Sequence, residues 1–169
     1  MTPETEARWR TSVHEAGHLI AAWRYYRNKD ARAVLHGDDS GTAIVGGEDD
    51  LLAAIVSMAG PIAAAELSDS PPPSEPVRTT PEALQRSGRV QAMEVAIEAH
   101  TGEATPDDRQ RAVAWATKHP APSAWAERFH VVCDEARQFV MIHREEILEA
   151  ARHLYLTGGC SVSDLQKGD

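Results

Sequence analysis

Val13-His14-Glu15-Ala16-Gly17-His18 lies in the middle of a stretch, Pro3 to Arg27, whose apolar residues Trp9, Val13, Ala16, Ile20 and Trp23 recur at alternating spacings of four and three. That period predicts one long amphipathic helix. Thr2-Pro3-Glu4 supplies its start: a hydroxyl for the N-cap, a proline at the first helical position and a carboxylate at the positive end of the dipole. Asn28-Lys29-Asp30 is the expected stop. His14 and His18 are four residues apart, so a helix puts both imidazoles on one face, where they can reach the same cation. Glu15 is about 100° further round, placed to take a proton from water without itself being a ligand. With 8 histidines in 169 residues, this five-residue pattern would arise by chance roughly 0.03 times. His14 and His18 are therefore candidate metal ligands, and Glu15 a candidate general base.

Working outward, Ala33-Val34-Leu35 and Thr42-Ala43-Ile44-Val45 flank Gly37-Asp38-Asp39-Ser40-Gly41, the pattern of a short β-hairpin. After Gly46-Gly47, Asp49 or Asp50 opens a helix running to Leu67 that is apolar almost all round and is expected at the centre of the core. Residues 69–81 contain five prolines and almost nothing to bury, which predicts a surface loop. Helices are expected near 81–100, 106–118 and 124–156, two of them opened by Thr80-Pro81-Glu82 and Thr105-Pro106-Asp107. The last has Ser123 as its cap and Gly158-Gly159 as its stop; Ser161-Val162-Ser163-Asp164 can begin a final turn. The expected fold is mostly α (α+β), one zincin-like helical domain over 1–169 with one small β-hairpin.

Composition narrows the function. The net charge of −9, from 17 basic and 26 acidic residues, provides no basic run for a nucleic-acid backbone or an anionic membrane surface, so neither is an expected partner. No apolar run reaches the roughly 18–20 residues of a membrane span. The opening Met1-Thr2-Pro3-Glu4-Thr5-Glu6 lacks the layout of a signal peptide. Cys133 and Cys160 are the only cysteines, too few for a disulfide framework or a cysteine metal cage, and a cytoplasmic setting is expected. Cys133 reads as a small buried hydrophobe and Trp115, Trp125 and Phe139 as core residues. His36, at the hairpin's edge, could touch substrate but reads first as a solvated turn histidine, and His100, His119, His130, His143 and His153 show no catalytic spacing.

A catalytic zinc takes three protein ligands, so a third donor must come from elsewhere. From the residues alone, Glu66 in Ala63-Ala64-Ala65-Glu66-Leu67 is the first candidate, set against an exposed residue at a helix end.

Val13–His18 with its apolar helix, together with Met58-Ala59-Gly60-Pro61-Ile62-Ala63-Ala64-Ala65-Glu66-Leu67, resembles the zinc metallopeptidase domain of FtsH-type proteases. The run 136–151 and the tail Ser161–Leu165 resemble that family's closing helix and end. The resemblance implies a zinc-dependent peptidase acting on peptides or unfolded protein, with His14 and His18 as zinc ligands and Glu15 as general base. It implies that the hairpin at 33–45 aligns an extended substrate by strand addition. It also implies an aspartate ligand at the start of the helix after the loop. The matching register there places Gly88, so Glu82, Glu94 or Glu66 must substitute, or the domain has become a binding or regulatory module without turnover. No Gly-x-x-x-x-Gly-Lys-Ser/Thr loop occurs in these 169 residues, so ATP dependence is not carried over, nor is a membrane anchor.

Overall fold

Residues 12–22 of the first helix are buried on every side, although only one face carries a continuous apolar stripe. The structure, a computed structural model, describes residues 3–36, 40–44, 50–68 and 106–166. In chain order the elements are α1 (Pro3–Tyr26), β1 (Arg32–Leu35), β2 (Gly41–Ile44), α2 (Asp50–Leu67), α3 (Pro106–Ala116), α4 (Trp125–Ile142), α5 (Arg144–Thr157), β3 (Gly159–Ser161) and α6 (Val162–Leu165). The fold is mostly helical with one small antiparallel sheet, as the patterning predicts.

Helix α1 ends where Arg27 takes a left-handed conformation, φ 56°, and Asn28 Oδ1 accepts from the Asp30 N–H to turn the chain. The hairpin forms in the expected place, with Ala33 opposite Ala43 and Leu35 opposite Gly41. Ala33 and Leu35 point into the core, while Arg32 and Val34 point out. A third strand, not foreseen, pairs on the other side of β1, giving the order β2-β1-β3. It arises because Gly158 adopts φ 79° as the cap of α5 and donates to Leu154 O, which turns residues 159–161 back along β1. The expected turn at Ser161 is present as a capping box, with Asp164 accepting from the Ser161 N–H.

The helix expected over 124–156 is two helices. The chain bends at His143, φ −101° and ψ 22°, with neither proline nor glycine at the break. Each half then meets a different partner: α4 lies along α2, and α5 lies along α1. His143 stacks on Phe139 and bonds Glu146, which also pairs with Arg24 of α1. Ser123 does not cap α4; it sits in a 3₁₀ turn, Pro122–Ala124, that precedes it. Cys133 and Cys160 are buried free thiols. Phe139 is buried, whereas Trp115 and Trp125 only flank the core. The proline-rich stretch at 69–81 and the helix expected near 81–100 lie outside the described residues.

Helices α1 and α2 form the centre, and they cross at backbone contact. A β-carbon built on Gly17 would lie 2.6 Å from Ala59 O and 2.8 Å from Ala63 Cβ. Both opposing atoms belong to a packed helix that cannot yield like a flexible side-chain tip. Gly17→Ala is therefore expected to lower stability by about 1–3 kcal/mol, read by denaturant unfolding of the metal-free protein in chelator. An unchanged midpoint would mean that the two helices can separate freely.

Candidate metal centre

His14 and His18 sit on the part of α1 that α2 and α3 cover, each 7% exposed, and their ring nitrogens Nε2 approach to 3.1 Å. They are not on a solvated helix face. The i,i+4 spacing brings the rings together, and the burial comes from what packs over them. Gly60 of α2 lies directly on His18: a β-carbon there would be 2.3 Å from its Nε2. One turn earlier in α2, the Val56 carbonyl accepts a 2.8 Å hydrogen bond from His18 Nδ1–H. That bond fixes the tautomer, so the Nε2 lone pair points into the site, as an imidazole ligand requires.

The third donor is Asp108. Its Oδ1 lies 3.3 Å from His18 Nε2 and its Oδ2 lies 3.5 Å from His14 Nε2, so each carboxylate oxygen faces one imidazole. Metal–donor bonds of about 2.0–2.2 Å arranged tetrahedrally place neighbouring donors about 3.3–3.6 Å apart, close to the separation of each imidazole from its nearer carboxylate oxygen. His14, His18 and Asp108 are all buried, with their donor atoms within 4.8 Å of one another, and could hold a metal ion.

The electrostatics favour a positive charge between them. Burial alone would push His18 down, but the Asp108 carboxylate beside it, helped by the Glu15 charge and the Val56 carbonyl, outweighs burial and lifts it to about 9. Asp108, which burial alone would push up, is instead held well below the usual carboxylate range by His18 and His14. A proton or a metal cation can meet that demand.

The sequence reading passed over Asp108. The expected register places Gly88 where an aspartate belongs, whereas the donor lies in the first turn of the helix that starts at Pro106. The signal was present: Asp108, Ala112 and Ala116 are spaced four apart and all three are buried, so an acidic residue continues an apolar stripe. Glu66 is not a donor here. It is exposed at the end of α2 and accepts from Arg137 Nε at 2.8 Å. Glu82, Gly88 and Glu94 lie outside the described residues.

Glu15 stays outside the donor trio, yet it is only 6% exposed, because Gly41 of β2 packs against its side chain. His36 is exposed and bonds Thr42 across the hairpin. Among the described residues, no helix is long and apolar enough to cross a membrane. No protein-family model matches this chain, and no curated protein matches it.

Three residues could thus hold a metal ion, and one of them has a support beneath it. His14→Ala, His18→Ala and Asp108→Ala should each reduce bound metal well below one ion per chain, measured by elemental analysis, while Glu66→Ala should leave it unchanged. Gly60→Ala, which drives a methyl into the His18 ring, should weaken binding by about 10-fold or more in chelator competition. Full occupancy in Asp108→Ala would remove Asp108 from the site.

Proposed function

We propose that this chain is a zinc-dependent metallopeptidase that hydrolyses peptide bonds in extended or unfolded polypeptides. The observation that carries this reading is the closure of the His14–His18 pair by Asp108, with the Glu15 carboxylate beside the trio rather than in it. Two imidazoles and one carboxylate form the donor set of a zinc site that keeps a coordination position open. The rival reading, a domain without turnover, expects an empty third corner, and Asp108 beside the two imidazoles favours the enzyme instead.

His14 Nε2, His18 Nε2 and the Asp108 carboxylate would hold the zinc. Zinc, when bound, supplies Lewis-acid chemistry, acidifying water toward a pKa of roughly 7 and polarising a carbonyl. The protein's own groups do the rest. Val56 O keeps His18 in one tautomer and one ring orientation. Glu15 accepts the proton from the attacking water at its carboxylate and delivers it to the departing amine. Its burial excludes bulk water that would compete for that proton.

Strand β2 supplies the substrate track. Among the described residues β2 pairs only with β1, and no other strand of those residues lies along its other edge. An extended peptide can add there as a further strand, which a folded protein cannot do. The resemblance to FtsH-type peptidase domains points the same way. It gives Ala59-Gly60 in the second motif a physical meaning, because Gly60 is the surface on which His18 rests.

The reading predicts that Glu15→Gln retains metal and thermal stability while lowering hydrolysis of fluorescein-labelled casein by about 10²-fold or more. Loss of metal in that variant would make Glu15 a ligand, and unchanged turnover would exclude it as the base.

A further inference from the structure

Gly41 opens β2, and a β-carbon built on it would lie 2.4 Å from Glu15 Cγ and 2.9 Å from both Cδ and Oε1. Its φ is not left-handed, so the backbone there does not call for a glycine. Space calls for it. Ala43, two residues on and therefore on the same side of the strand, packs against the core. The side of β2 that carries Gly41 is thus the side applied to α1. Glutamate is a long side chain with many rotamers, and a general base works only where its carboxylate is held in one place.

We propose that Gly41 is the positioning residue for Glu15: the missing side chain at the start of β2 forms the seat that holds the Glu15 carboxylate between α1 and the strand. The geometric part stands on packing alone, and the catalytic consequence rests on the peptidase reading above. The seat belongs to the same strand whose free edge would carry the substrate backbone. One short element then sets the position of the base and the position of the bond to be cut.

The test is a double-mutant cycle on the full chain. Gly41→Ala is made in the wild type and in a Glu15→Ala background, and thermal unfolding is followed in chelator. The midpoint should fall by about 3 °C or more when Glu15 is present and by less than about 1 °C when it is absent. Equal falls in both backgrounds would overturn the proposal, since the methyl would then be meeting something other than Glu15. If Gly41→Ala alone does not fold, a folded double variant supports the seat and an unfolded one overturns it.

The zinc-loaded protein provides the catalytic arm. Gly41→Ala should keep zinc affinity and KM for labelled casein within about threefold while kcat falls by about 10-fold or more. In a Glu15→Gln background the same substitution should lower kcat no further, which a general loosening of the strand would not reproduce. A multiplicative loss there would overturn the catalytic part. If the wild type cleaves no casein, the peptidase reading fails, while the thermal cycle still decides whether Gly41 seats Glu15.

Discussion

The close crossing of α1 and α2 is the constraint on which the site depends. Gly17 meets the backbone of Ala59, and Gly60 meets the ring of His18, so each helix places a glycine against the other. Only at that separation can the His18 ring lie flat on α2 and reach the Val56 carbonyl. The same helix also receives α3 and α4, which explains why α2 is apolar almost all round rather than along one stripe. Docking of α3 on α2 carries Asp108 to the two imidazoles. A candidate metal-ligand set drawn from two segments about ninety residues apart in sequence is thus assembled by helix packing alone.

Burying this trio is costly, and the charges reveal how the cost is offset. Burial alone would discharge both groups, lowering the imidazole's affinity for a proton and raising the carboxylate's. His18 and Asp108 move the opposite way, because each stabilises the charged form of the other. Removing one partner would leave the other buried without its complement, the costly outcome for an ion pair in an interior. This arrangement adds less to stability than an apolar core of equal volume would, so its presence at the centre of the fold calls for a functional reason. A bound cation provides one.

What could be read from the sequence follows the range of the interactions involved. The His14–His18 pair, α2 and the hairpin depend on neighbours within a few residues, and their periodicities point to them directly. Asp108 is different: its partners lie about ninety residues upstream, so no local spacing links it to them, and the resemblance points to Gly88 instead. The break at His143 left no proline or glycine to mark it; it exists because α4 and α5 are matched to different helices. Strand β3 is three residues long and acquires its identity only by pairing with β1. Glu66 shows the complementary case, a carboxylate in a suggestive motif for which the alternative, an exposed residue at a helix end, holds: its partner is Arg137 on α4.

The glycines separate two uses of the same residue. Gly158 holds a left-handed φ with nothing within 4 Å of where its β-carbon would be, so its role is conformational, to end α5 and launch β3. Gly17, Gly41 and Gly60 have no such φ, and each is pressed against a neighbour: the backbone of α2, the side chain of Glu15 and the ring of His18. Main chain is stiffer than a side chain, since it is held by helix and strand hydrogen bonds rather than by a rotamer. Where a backbone forms the wall, the group against it has fewer places to go. The candidate metal ligand and the candidate base are therefore each located by main chain, a helix flank for His18 and a strand for Glu15. That is a different route to fixed geometry from a network of polar side chains, and it explains why small residues gather around the candidate site.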